Sequence, residues 1–79
     1  MTNQEKLYNS FAIALQIDLS IINDGLKYQS IPEWDSISHM VLINEIETNF
    51  DIIIDTDDVI DMSSVQKAKE ILIKQNILF

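Results

Sequence analysis

Apolar side chains recur at helical spacing in three separate stretches of this chain, and polar residues between them supply starts and stops. Leu7, Phe11, Ala14 and Leu15 form one stripe. Thr2 and Glu5 stand ahead of it at capping-box spacing, so the first helix is expected from about Asn3 to Gln16. A connector from Asp18 to Trp34 follows. Leu19, Ile21, Ile22 and Leu26 are its expected apolar anchors, Asn23-Asp24-Gly25 is a turn signal, and Pro32 stops a helix from running through. The second helix is expected to start at Asp35 or Ser36 and end near Asn49. Phe50 to Asp55 is β-branched and favours an extended backbone, but a lone strand has no partner here. It is read as a loop that inserts alternate isoleucines, Ile52 and Ile54, into the core. Thr56 to Asp61 leaves room for one or two helical turns. Ser63-Ser64-Val65-Gln66 has the spacing of another capping box, and Val65, Ala68, Ile71 and Leu72 make the last stripe. The tail Ile77-Leu78-Phe79 is apolar and is left unplaced. The expected fold is all-α: a small four-helix bundle of three main helices and one short one, with a long connector between helices one and two. Residues 1–79 form one domain.

The second helix carries more apolar surface than a core needs. At about 100° per residue, Leu42, Ile43, Ile46 and Phe50 fall on one side. Ile37, Met40 and Val41 fall on the opposite side, with Asn44 and Thr48 completing that stripe. One stripe suffices to reach a bundle core. The other must meet the connector, a bound chain or a partner protein. It is read as a docking strip flanked by Glu45 and Glu47.

Charge narrows the choice of partner. The chain has a net charge of −8, with 13 acidic residues. Nine of them lie between Glu33 and Asp61, where no lysine intervenes: Glu33, Asp35, Glu45, Glu47, Asp51, Asp55, Asp57, Asp58 and Asp61. Phosphate backbones and anionic headgroups are poor partners for such a surface, so nucleic acid and membrane insertion are not expected. Proteins with basic patches are. The chain has no cysteine, which removes disulfides and a thiolate nucleophile. At 79 residues it buries about 60–65% of its unfolded surface, too little for a deep catalytic cleft. No basic leader precedes an apolar run at the start, and the longest apolar run, Phe11 to Leu15, is far short of a span. A soluble, cytoplasmic monomer is expected, and Met1 suggests that it stands alone.

Candidate chemistry centres on Asp35-Ser36-Ile37 at the expected start of the second helix. Serine there can serve simply as a cap, a role Asp35 could equally take. A hydroxyl at a helix N-terminus is also exposed, and the free N–H groups nearby favour an attached phosphodiester. Asp35 could hold a divalent ion while a diphosphate donor is cleaved. No base accompanies Ser36, so it would be another enzyme's substrate and no catalytic residue is assigned. His39 lies beside the core stripe, as a packed or edge histidine, and Trp34 is read as a plug over the bundle end. Asp55-Thr56-Asp57-Asp58 invites comparison with a calcium loop. Val59 and Ile60 then occupy the fifth and sixth places, the motif fails, and no metal site is assigned.

The stretch from Pro32 to Leu72 resembles the acyl carrier protein family. The likeness rests on Asp35-Ser36-Ile37, the spacing of Leu42, Ile43, Ile46 and Phe50, the run Asp51, Ile52 and Ile54, and Ser64-Val65-Gln66. The family's attachment motif is Asp-Ser-Leu, so Ile37 replaces leucine. Trp34, Val41 and Asn44 also depart from the pattern common in fatty-acid carriers, which points toward a dedicated carrier in a specialised pathway. The resemblance implies a bundle of acyl carrier protein type with phosphopantetheine on Ser36, attached by a phosphopantetheinyl transferase. It implies acyl or aminoacyl thioesters on the arm, served by loading and transferring enzymes with basic patches. The protein would be a carrier and not an enzyme. Its partner-binding residues would be Ile37, Met40, Val41, Asn44, Glu45, Glu47, Asp57 and Asp58. The alternative is an acidic helical interaction module of the same fold without an arm.

Overall fold

The computed structural model describes residues 1–79 and contains four α-helices and no strands: α1 (Asn3–Leu15), α2 (Ser36–Phe50), α3 (Thr56–Asp61) and α4 (Val65–Ile73). A 3₁₀ turn, Leu19–Ile21, interrupts the connector. The particle measures 31 × 27 × 20 Å. No helix is long and apolar enough to cross a membrane.

The helix starts follow local chemistry. Thr2 Oγ1 accepts from Glu5 N–H, and the Glu5 carboxylate accepts from Thr2 N–H, closing the box that opens α1. Ser64, not Ser63, caps α4 by accepting from Lys67 N–H. The expected box between Ser63 and Gln66 fails because both N–H groups it needs are used elsewhere: Ser63 N–H donates to the Asp61 carbonyl at 2.8 Å, and Gln66 N–H to the Asp24 carbonyl at 3.0 Å. Both α1 and α2 exit through left-handed residues that are not glycine, Gln16 and Asp51. The turn at Asp51 feeds the segment that follows back into the bundle. There Ile54 is buried, Ile52 is half-buried against the core, and Ile53 points to solvent. Glu47 holds this segment by accepting from Ile54 N–H at 2.8 Å.

The core joins all three stripes. Leu7, Phe11, Leu42, Ile46, Val65, Ala68, Ile71 and Leu72 are its centre, and α1 packs most closely on α2. Trp34 is fully buried, edge-on to Phe11 at 5.1 Å between ring centres, and so acts as the expected plug. The connector contributes Ile22 and Leu26 to the core, but Leu19 and Ile21 are exposed. They fall in the 3₁₀ turn, which Asp18 caps through Ser20 N–H. That turn directs only the residue after it inward.

The connector is stitched to the start of α4 by three backbone bonds: Tyr28 to Ser63, Val65 to Leu26, and Gln66 to Asp24. A polar knot reinforces the seam. Buried Lys69 donates to Asp24 and Gln4, and Tyr8 Oη donates to Asp24 at 2.6 Å. Lys69 and Tyr8 hold the Asp24 carboxyl below the usual range. Burial, with Asp24 beside it, pushes the Tyr8 hydroxyl up to about 12. The C-terminal tail folds back over the same seam. Ile77 packs on the core, Asn3 Nδ2 donates to the Leu78 carbonyl, and Phe79 lies near the Lys69 ammonium.

Candidate functional site

Two serines stand in the first turn of α2, and the chain gives them different duties. Asp35 is the N-cap: its Oδ1 accepts from the N–H groups of Ile37 and Ser38. Ser38 closes the box, accepting from Asp35 N–H at 2.9 Å and donating to the Glu33 carbonyl at 2.6 Å. Ser36 is left over. It is the first residue of α2, exposed, and its hydroxyl makes no hydrogen bond within the chain. Capping therefore does not account for Ser36. The role of Ser38, which lies at the third helical position, had no separate signal in the Asp-Ser-Ile motif.

The same geometry corrects one expectation. The Ile37 and Ser38 amides at this helix start are not free for a phosphodiester, because the Asp35 carboxylate already occupies them. The bond from Ser38 N–H, above all, lowers the Asp35 pKa and keeps the group ionised. Only Oδ1 takes part in these bonds. The second oxygen accepts no hydrogen bond within the chain. No three His, Asp or Glu side chains converge closely enough to hold a resident metal.

Ser36 lies on the lip of an apolar cleft between α2 and α3. The cleft encloses about 320 Å³ and is walled chiefly by Tyr28, His39, Met40, Val59, Ile60 and Met62. Two of its lining residues, His39 and Val59, belong to a hydrogen-bonded chain. Trp34 Nε1–H donates to His39 Nδ1 at 2.9 Å, so the other ring nitrogen carries the proton and donates to the Val59 carbonyl at 2.8 Å. His39 thus ties α3 to α2 and satisfies the only polar atom of a buried indole side chain. It has no carboxylate or serine partner that would make it a base.

The expected docking strip is exposed: Ile37 is 77%, Met40 58% and Val41 49% accessible, with Asn44 beside them. The connector does not cover them. The acidic residues divide. Asp57 is exposed in the first turn of α3. Asp58 instead binds Lys74 at 2.7 Å and holds α3 to α4, with most of its side chain covered. Glu47 is engaged with Ile54, and half-buried Glu45 lies toward Asn49 and α1. Of the eight expected partner-facing residues, Ile37, Met40, Val41, Asn44 and Asp57 are the ones presented freely to solvent.

No family model matches the chain, and neither a curated protein nor a solved structure matches it.

Proposed function

We propose that this chain is an acyl carrier protein-type domain that bears a phosphopantetheine arm on Ser36. The observation that carries the reading is the division of labour in the first turn of α2. Asp35 and Ser38 perform the capping, while Ser36 stands exposed with an uncommitted hydroxyl. The residues fit the group: Ser36 is reachable by a second protein, a bulky arm there displaces nothing from the core, and an apolar cleft begins beside it.

Attachment needs a transferase, because no base is hydrogen-bonded to the Ser36 hydroxyl to activate it. Ser36 Oγ attacks the phosphorus that bears pantetheine in coenzyme A. The new O–P bond forms as the bond to adenosine 3′,5′-bisphosphate breaks, and the serine proton passes to a base on the transferase. Asp35 stays ionised, and its free oxygen would be the chain's own ligand for the magnesium ion that accompanies the diphosphate. Once attached, the arm's thiol holds acyl or aminoacyl groups as thioesters, and partner enzymes perform the chemistry. The exposed strip Ile37, Met40 and Val41, with Asp57, is the surface those partners read. The departures at Trp34, Val41 and Asn44 favour a dedicated pathway.

The test is intact mass after incubation with coenzyme A, magnesium and a broad-specificity phosphopantetheinyl transferase. One arm is expected on the parent and on Ser38→Ala, and none on Ser36→Ala. Addition that survives Ser36→Ala, or that no transferase achieves, rejects the arm and leaves an interaction module.

A further inference from the structure

A second groove lies on the other side of the α2 N-terminus from the cleft. It encloses about 430 Å³ between the end of α1 and the first half of α2. Its apolar walls come from both helices: Ile13, which is 61% exposed, faces Ile37 and Val41. Two residues of the strip on α2, Ile37 and Val41, are therefore one wall of a two-helix groove, while Met40 belongs to the cleft. Ile13 was not marked by the sequence pattern, because it lies off the α1 core stripe and reads as a stray surface residue. Its meaning comes only from the packing of α1 on α2.

The rim identifies what fits. Glu33 and Asp35 line the groove, both carboxylates are exposed, and no lysine lines it. A second copy of this chain would bring the same two carboxylates to the contact, on a molecule of net charge −8. An anionic lipid surface meets the same repulsion. Apolar walls with an anionic edge are complementary to an apolar side chain flanked by cations. We propose that the α1–α2 groove is a docking site for a protein segment presenting an aliphatic anchor flanked by lysine or arginine. Such a partner contacts α1 as well as α2 and leaves Ser36 and its cleft open on the far side. The proposal stands whether or not Ser36 carries an arm.

The test is an NMR titration of ¹⁵N-labelled protein with a synthetic amphipathic helical peptide of leucine anchors and lysine flanks. Shifts are expected at Ile13, Gln16, Ile37 and Val41. Ile13→Glu should weaken binding about tenfold or more, equivalent to about 1.4 kcal/mol. Ile60→Glu should not, although Ile60 is 78% exposed beside the cleft. A peptide with glutamate in place of lysine should fail to bind, and ionic strength above about 0.15 M should weaken the parent peptide. Ile13→Ser, which adds no charge, should weaken binding in the same direction. A circular-dichroism melt of each variant checks the fold. The proposal is overturned if no shift reaches Ile13 at about 1 mM peptide, or if Ile60→Glu weakens binding as much as Ile13→Glu. It is also overturned if Ile13→Glu abolishes a dimer seen by sedimentation or binding to anionic vesicles, because either result assigns the groove to another occupant.

Discussion

The inner and outer sides of α2 are nearly equal in hydrophobicity and opposite in fate. Leu42, Ile43 and Ile46 are buried against α1 and the rest of the core. Ile37, Met40 and Val41, about half a turn away, stand in water. Between the two sides lie the groups that decide where α2 starts and what it touches: the Asp35–Ser38 box and the Trp34–His39–Val59 chain. Apolar composition alone thus says little about burial in this helix. What distinguishes the sides is close packing: the inner side is filled by the core, whereas the outer side borders only open grooves.

The largest expected effect comes from the inner side. Ile46→Ala should cost about 2–5 kcal/mol, enough to threaten so small a domain, and a shift in thermal melting measures it. A cost below about 1 kcal/mol would mean that the inner side is no better packed than the outer. At the border, His39→Ala leaves the buried Trp34 N–H without an acceptor and should cost about 1–3 kcal/mol. Trp34 is the chain's only tryptophan, so its fluorescence reports the change directly. Next come the two serines. Ser38→Ala should cost about 0.5–1.5 kcal/mol, and Ser36→Ala less than about 0.5. Equal costs would remove the distinction on which the carrier reading rests.

Acid should act on Asp35 at the border and on Asp24 in the seam between the connector and α4, and not on either apolar side. Asp35 and Asp24 both have folded-state pKa values below their ordinary range. Their contribution is therefore present above about pH 4 and is lost as pH falls through the lowered values. Tyr8 has the opposite sense. Its value is raised to about 12, so its contribution is whole below about pH 10 and is lost as pH climbs through 12. Melting temperature against pH should show both flanks. Asp24→Asn should shrink both at once, because Asp24 faces Tyr8 as well as Lys69. The smallest effect belongs to the outer side. Met40→Glu should change stability by less than about 0.5 kcal/mol and, on the proposed carrier function, should slow acyl loading by partner enzymes. Unfolding comparable to that of Ile46→Ala would show that something covers this face.

Much of this was legible from spacing. The stripes of α1, α2 and α4 follow from helical period, and the inward turn of Ile54 from alternation along an extended, β-branched segment. The errors lie where tertiary bonds recruit a residue that local rules assign elsewhere. Ser63 has the spacing of a cap, but Gln66 N–H, which its side chain would need, donates to Asp24 in the connector. Leu19 and Ile21 looked like anchors, but a 3₁₀ turn places them outside. Asp58 and Glu47 looked like free surface charge, and each is tied to another element by one bond. Ile13 and the second groove were invisible because they exist only once α1 lies on α2.

The non-glycine exits of α1 and α2 bear on how the molecule forms. A left-handed backbone costs an ordinary L-residue about 1–2 kcal/mol. Gln16 and Asp51 both adopt it, whereas the single glycine, Gly25, sits in the connector. Gln16 is disfavoured there, and Asp51, although aspartate tolerates this region better than most residues, is no glycine, so neither turn should persist strongly in an isolated fragment. Each is imposed by the helices on either side once they have docked. Local pieces of this chain therefore have little reason to exist alone, and unfolding should be all-or-none, with the helices and the turns between them lost in one transition.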